Sequence, residues 1–250
     1  MRPVLDFAEF RNDWRIFRQE ARAWGIRAAL IDQFHYVRAR IHEKIDRFDA
    51  TYGTETSRMV GIDDLNGVGE NGAEAVLYWP TRPVDFRRVL ASAGEIDHRE
   101  RVFIDVGCGK GRVALLAAGL PFKKVVGVDF SPTLVDTARR NARSYTGPIR
   151  TEIELAVGDA AEFEFPADDL VVYLFAPFGP AVLARMAANL ATAARRRGKR
   201  VTVLYYSPDY DETIRAAGFR VVTGGKGHNY PWRVYTLDEA SATPPASQYT

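Results

Sequence analysis

The chain has 250 residues, and its 34 Lys and Arg against 32 Asp and Glu leave a formal net charge of +2 at pH 7. A composition of 46% hydrophobic and 26% charged residues is that of an average globular protein, which excludes a wholly disordered or fibrous chain. The near-balance of charge predicts no nucleic-acid or membrane partner, and the single cysteine, Cys108, predicts neither an internal disulfide nor a metal site. The sequence shows no signal peptide and no apolar run of membrane-spanning length, so we expect a cytoplasmic protein.

The N-terminal part of the chain has the pattern of amphipathic helices. Over residues 7–48 apolar side chains recur three or four positions apart, as at Ile31, Phe34, Val37 and Ile41. The following stretch, 50–81, is rich in Gly, Asp and Asn, which indicates an irregular loop. We therefore expect a helical cap and loop over 1–80, a compact core over 81–238 and a disordered tail over 239–250.

The core region alternates between two kinds of segment. A helix is predicted near 84–93, and from Arg101 onward β-branched runs alternate with Ala-rich helical stretches near 111–118, 131–144, 180–196 and 209–217. The runs are RVFIDV, KVVGVDF, TEIELAV, LVVYLF and RVTVLYYS, and two more, FRVVTG and PWRVYTL, are joined by only a short loop. This order predicts an α/β fold, with a parallel sheet covered on both faces and an antiparallel hairpin at one edge.

A glycine-rich turn follows the first of these strands. The strand ends in Asp105, and Gly107, Gly109 and Gly111 then lead into a helix. Glycines in such a turn adopt positive φ and let a ligand approach the backbone, while the helix N–H groups face the ligand. The spacing is neither that of a dinucleotide fingerprint, which needs a small residue where Arg112 stands, nor that of a P-loop.

The turn resembles motif I of class I S-adenosylmethionine (SAM) methyltransferases. Two further elements agree with that resemblance: Asp129 ends the second strand and Asp159 follows the third. The resemblance implies SAM as cofactor, a seven-stranded sheet in the order 3-2-1-4-5-7-6 with strand 7 antiparallel, ribose binding by Asp129 and adenine binding by Asp159. The other cofactor-side residues that it implies are Asp105, Gly107, Cys108, Gly109, Gly111, Phe130, Ala160 and Phe175.

A segment upstream of the glycine turn adds a narrower resemblance. YWPTRPVDFRRVL resembles the Y-x-P-T/S segment of a bacterial group similar to the histone-lysine (Dot1-like) methyltransferases. The resemblance implies that Tyr78 and Thr81 lie beside the cofactor. The same segment can also be interpreted as a proline-punctuated turn that enters a helix.

The methyl acceptor is expected beside the end of the fourth strand. Methyltransferases that act on nucleobase amino groups or amides often carry Asn or Asp there, followed by proline, whereas this chain has Ala176-Pro177-Phe178. A methyl group cannot accept a hydrogen bond, so that acceptor class is disfavoured. Phe178 is a candidate wall of the acceptor pocket, Tyr230 and Trp232 are candidate substrate-binding residues, and His228 and Tyr206 are candidate catalytic residues; each of these is equally compatible with ordinary packing or a surface turn.

Two cations occupy an unusual place at the start of the helix after the glycine turn. Lys110 and Arg112 oppose the helix dipole there, so we expect each to meet an acidic group such as Asp129 or a carboxylate of the cofactor or substrate.

The function predicted from the sequence is SAM-dependent methyl transfer to an oxygen or nitrogen of a small molecule. A protein or peptide methyltransferase of the lysine type is the alternative within the same class. From another class, a non-catalytic nucleotide-binding module stays open, and a dehydrogenase fits the glycine spacing less well. The oligomeric state is not predicted.

Overall fold

A computed structural model describes residues 47–58, 60 and 78–237. Most of the predicted helical cap, the glycine-rich stretch 61–72 and the predicted tail over 239–250 lie outside the described residues. Within the described part, no helix is long and apolar enough to cross a membrane.

Seven strands form one sheet in the order β3-β2-β1-β4-β5-β7-β6. Strands β1 to β5 pair in parallel, and β7 runs antiparallel to both β5 and β6, which confirms the predicted topology. The strands are β1 (Arg101–Val106), β2 (Lys124–Asp129), β3 (Ile153–Val157), β4 (Asp169–Phe175), β5 (Val201–Tyr206), β6 (Phe219–Lys226) and β7 (Pro231–Leu237).

Six α-helices accompany these strands in the described residues. Proline begins three of them, where its missing N–H has no helical partner to lose, and Gly198 ends the longest in the left-handed conformation. The helices are α1 (Phe48–Tyr52), α2 (Pro83–Ser92), α3 (Arg112–Ala118), α4 (Pro132–Ser144), α5 (Pro180–Arg197) and α6 (Asp211–Ala216).

Both faces of the sheet are buried, which is why its central strands are apolar almost throughout. Along β4, Val172 and Leu174 pack on one face with α5, while Val171 and Tyr173 pack on the other with α2 and α3. The alternation continues at the end of β5 and therefore sends Tyr205 and Tyr206 to opposite faces.

Candidate functional site

The carboxyl ends of β1 to β5 lie at one edge of the sheet, where ligands of open α/β sheets bind. The turn 227–230 between β6 and β7 lies at the same edge, because Tyr206 at the end of β5 pairs with Trp232 at the start of β7. The glycine turn, the predicted acids Asp129 and Asp159, and the aromatic residues of the hairpin therefore lie at this edge.

The glycine turn needs its glycines for two separate reasons. Gly107, Gly109 and Gly111 have φ values of +74°, +53° and +83°, a region that side chains with a Cβ rarely adopt. There is also no room for a side chain, because a Cβ on Gly107 would overlap Pro177 and a Cβ on Gly109 would overlap the ring of Tyr78. The backbone of this turn is thus closely packed against side chains on two sides.

Asp129 is buried with its carboxylate against the glycine turn. Its Oδ2 accepts a hydrogen bond from Gly109 N at 2.9 Å, and its Oδ1 accepts one from Ser131 N at 2.9 Å. Burial raises the pKa of Asp129, and the two backbone N–H groups act against that rise. Each carboxylate oxygen can accept more than one hydrogen bond, so the group can still take the two hydroxyls of a ribose.

Asp105 lies near the end of β1, directly before the glycine turn. Its side chain is 3% exposed, and its Oδ2 has no hydrogen-bond partner in the part of the chain that the structure describes. Burial, followed by the negative charge of Asp129, raises the pKa of Asp105 to about 8. An orphaned carboxyl oxygen beside a glycine turn fits a ligand that brings N–H donors, such as the amino group of the methionine part of SAM.

The raised pKa of Asp105 predicts how stability depends on pH. The folded protein retains this proton up to about pH 8, whereas the unfolded chain releases it near the ordinary aspartate pKa of 3.8. The free energy of unfolding should therefore fall as pH rises from about 4 to about 8, by up to roughly 1.4 kcal/mol per pH unit. Urea unfolding at pH 5, 6, 7 and 8 measures this fall, and Asp105→Asn should remove most of it. The same decrease of unfolding free energy with pH in wild type and Asp105→Asn would contradict the shifted pKa. Asp136→Asn, which changes an exposed aspartate, is the control.

Tyr78 and Thr81 lie next to this turn. The Tyr78 ring packs against Gly109 and Leu134, and its hydroxyl donates to Thr56 O at 2.9 Å. Thr81 shares a hydrogen bond of 3.0 Å with the hydroxyl of Tyr173 in β4. Tyr78 therefore lies over the glycine turn and Thr81 lies beside β4, and their contact with a cofactor stays a prediction.

The residues predicted to bind adenine are Asp159, Ala160 and Phe130. Asp159 follows β3, and its Oδ1 accepts from Ala161 N at 2.8 Å, which fixes a local turn. Ala160 is buried beside it, and Phe130 is partly buried against Tyr78. The contact of Asp159 and Phe130 with adenine stays a prediction.

The predicted acceptor side divides into buried and partly buried residues. Phe178 is 8% exposed and packs in the core beneath α5, and Trp232 is also 8% exposed. Phe175, Tyr206 and Tyr230 form a cluster of rings with centroids 4.9 to 5.7 Å apart. His228 contributes its backbone N–H, which donates to Asp85 Oδ1 at 2.9 Å.

The backbone is strained at this acceptor side. Ala176 and Ser207 have positive φ values of +34° and +55°, and they directly follow β4 and β5. They are the only non-glycine residues with positive φ in the described ranges. Strain of this kind concentrates at functional sites.

Lys110 and Arg112 have partners other than Asp129, which was one of the acidic groups expected from the sequence. Lys110 Nζ lies 3.3 Å from Glu55 Oε1, and Arg112 donates to Thr56 Oγ1 and Ser57 Oγ at 2.7 Å each. Both cations are at most 3% exposed, so they anchor the segment 48–58 over the start of α3. Arg112 Nη2 also lies 3.9 Å from Asp49 Oδ1, so each cation meets an acidic side chain of this segment.

Sequence reasoning missed several residues that organise this region. Asn141 in α4 bridges the docked segment and the glycine turn, because its Oδ1 accepts from Glu55 N at 2.7 Å and its Nδ2 donates to Lys110 O at 2.9 Å. Asp85, in the first turn of α2, is fully buried. A lone Asn or Asp within a helical pattern carries no signal that sets it apart.

Several curated methyltransferases match part of this sequence. The chain is 36% identical over 113 residues to the ribosomal protein L11 methyltransferase of Deinococcus radiodurans, covering 43% of this chain and 41% of that protein. It is 30% identical over 105 residues to that of a Marinomonas species, covering 42% and 33%. The chain therefore spans about two fifths or less of the length of the curated relatives it matches.

Solved structures with a similar fold include magnesium protoporphyrin IX methyltransferase from Synechocystis PCC 6803 with bound SAM. The identity is 17%, the TM-score is 0.45, and the match covers 60% of this chain and 74% of that one. An RNA methyltransferase from Salinibacter ruber in complex with S-adenosyl-L-homocysteine is 22% identical with a TM-score of 0.46, covering 68% and 99%.

The expectation of a small-molecule partner is wrong. The curated relatives are named as methyltransferases of ribosomal protein L11, a protein substrate, and this finding contradicts a small molecule as the main acceptor.

A protein-family model matches part of this chain. Residues 103–198, from β1 to the end of α5, match a family model described as a methyltransferase domain. The strand order and the antiparallel β7 are those implied by the class I resemblance. Residues 103–198 therefore resemble a methyltransferase domain, within a sheet that has the strand order implied by the class I resemblance.

Proposed function

We propose that this chain transfers the methyl group of SAM to a protein acceptor. The observation that carries the cofactor half is the orphaned Asp105 carboxyl oxygen beside a glycine turn that has no room for a Cβ. The acceptor half is supported by the curated relatives, which are named for a protein substrate.

In the proposed complex, each residue at this edge of the sheet binds a different part of SAM. Asp129 accepts the ribose hydroxyls, Asp105 accepts from the amino group, and the Gly107–Gly111 backbone lies against the amino-acid part. Asp159 binds the adenine end. SAM supplies a methyl group on a sulfonium, which is already a good leaving group, so the protein has mainly to orient the acceptor and exclude water.

The acceptor binds at the ends of β4 and β5. The strained Ala176 and Ser207 follow these strands, and the rings of Phe175, Tyr206 and Tyr230 pack together beside them. Aromatic walls of this kind suit an extended side chain of a protein with an apolar stem.

The direct test is transfer of a labelled methyl group from SAM to purified ribosomal protein L11 of the source organism and to its other ribosomal proteins. Label recovered in protein, and absent with Asp129→Asn, is the expected result. SAM binding without transfer to any of these proteins would overturn the protein acceptor. Absence of SAM binding would overturn the cofactor half as well.

A further inference from the structure

Asp85 holds a buried carboxylate that the cofactor site does not use. Its side chain is 1% exposed and lies in the first turn of α2. Oδ1 accepts from His228 N at 2.9 Å, across the turn between β6 and β7. Oδ2 is buried and has no hydrogen-bond partner within the described ranges.

A helix cap does not account for this carboxylate. Acids are common in the first turn of a helix, where they bind its free N–H groups. The hydrogen bond of Asp85 instead leaves the helix for the hairpin turn, and the N-cap residue, Arg82, makes no side-chain cap. Buried polar atoms are nearly always satisfied, so an orphaned carboxylate oxygen indicates a ligand with a donor group.

The surroundings of Asp85 identify the kind of donor. A Cβ on Gly227 would lie 2.9 Å from the Tyr206 hydroxyl and 3.0 Å from Asp85 Oδ1, so both groups border the same glycine. Burial, followed by the negative charge of Asp85 and a hydrogen bond to its carboxylate, raises the pKa of Tyr206, which leaves Oδ2 as the Asp85 oxygen without a partner in the described residues. The Tyr206 ring is in turn packed against the rings of Phe175 and Tyr230. A carboxylate next to a cluster of aromatic rings is a setting in which proteins bind an ammonium group on an apolar stem.

The position of Asp85 links it to the acceptor side of the sheet. Tyr206 ends β5 and Phe175 ends β4, while Thr81, four residues before Asp85, is bonded to Tyr173 of β4. Ala176, next along the chain, offers no side-chain acceptor atom. Asp85 therefore brings, from a helix outside the strand ends, the hydrogen-bond acceptor that the end of β4 lacks.

We infer that Asp85 Oδ2, together with the rings of Phe175, Tyr206 and Tyr230, binds the amino group of a lysine-like side chain on the acceptor protein. This inference rests on the proposed function and assigns a residue to its acceptor site. Asp85 is a binding residue here, and the transfer step itself needs nothing further from it.

The test uses n-butylammonium, which has the stem and charge of a lysine side chain, as a probe of the whole chain without SAM. Binding is followed by the NMR signal of the indole N–H of Trp232, assigned by its loss in Trp232→Phe. We expect saturable binding in wild type and a Kd at least tenfold higher in Asp85→Asn. Asn retains an oxygen for the His228 N–H group, so the fold is expected to survive even where Asp85→Ala unfolds.

Asp169→Asn is the matched control. Asp169 is a hydrogen-bonded aspartate at the opposite end of β4, where it pairs with Arg200. Its replacement should leave butylammonium binding unchanged. Equal Kd values for wild type and Asp85→Asn would overturn the inference and make Asp85 a structural acceptor for the hairpin turn.

A second measurement separates this inference from the proposed function. With labelled ribosomal protein L11 as acceptor, Asp85→Asn should raise KM at least tenfold while the Kd for SAM stays within twofold of wild type. An unchanged KM would overturn the role of Asp85. Failure of methyl transfer in wild type, with butylammonium binding still dependent on Asp85, would overturn the protein acceptor and support the amino-group site.

Discussion

Replacing Asp129 with Ala is expected to abolish measurable SAM binding. The carboxylate fixes Gly109 N and Ser131 N, and it is the group that accepts the ribose hydroxyls in the proposed complex. Hydrogen bonds to a charged group contribute about 1.5–3 kcal/mol each, so losing two should raise the Kd for SAM by at least about 100-fold. Calorimetric titration with SAM, its demethylated product and NAD measures this directly.

Two controls make the Asp129 result interpretable. Asp136→Asn changes an exposed acid in helix α4 that pairs with Arg139 at the surface, and this variant should bind SAM like wild type. A thermal melt of Asp129→Ala distinguishes loss of the site from loss of the fold. Undiminished SAM affinity in a folded Asp129→Ala would refute the ribose assignment, and binding of NAD alone by wild type would refute the cofactor.

The sheet was predictable from the sequence because its signals are local. Strands buried on both faces give continuous β-branched runs, and Pro83, Pro132 and Pro180 mark the helix starts. The short loop before PWRVYTL fixed the antiparallel edge. The grouping of Asp105, the glycines and Asp129 at one end of the sheet was predictable for the same reason, since each lies at or directly after a strand end. Their contact with SAM stays a prediction.

Contacts between distant segments were not predictable. Lys110 and Arg112 have partners 55 and 56 residues away, in a stretch whose composition indicates only a loop. His228 attracted attention for its imidazole, yet its backbone N–H makes the contact with Asp85, 143 residues away. Nothing in a single sequence tells which side chain will meet which buried acid.

The choice of acceptor class failed for a related reason. It depended in part on one position, Ala176, whose side chain lacks the acceptor atom that methyltransferases of nucleobase amino groups and amides carry there. The carboxylate of Asp85 reaches the turn between β6 and β7 from α2, and in our inference it supplies an acceptor atom that the end of β4 lacks.

Gly109→Ala is expected to destabilise the protein more than any ordinary glycine replacement and to weaken SAM binding as well. Gly109 has φ of +53°, and Gly198 at the end of α5 has φ of +58°, so both replacements carry a similar backbone strain of about 1–2 kcal/mol. A Cβ at Gly198 meets nothing within 4 Å, whereas one at Gly109 overlaps Cδ2 and Cε2 of Tyr78. Overpacking adds about 1–3 kcal/mol, so urea unfolding should separate the two variants by that amount.

A double variant locates the cause of this difference in the Tyr78 ring. Tyr78→Ala removes the ring atoms that the new methyl group would meet, along with the hydroxyl bond to Thr56 O. The losses of unfolding free energy in Gly109→Ala and Tyr78→Ala should therefore sum to more than the loss in the double variant, by about 1 kcal/mol or more. Strict additivity, or equal losses in Gly109→Ala and Gly198→Ala, would show that Tyr78 does not press on the turn. Because Gly109 N also donates to Asp129, displacement of the turn should lower SAM affinity in Gly109→Ala and leave it unchanged in Gly198→Ala.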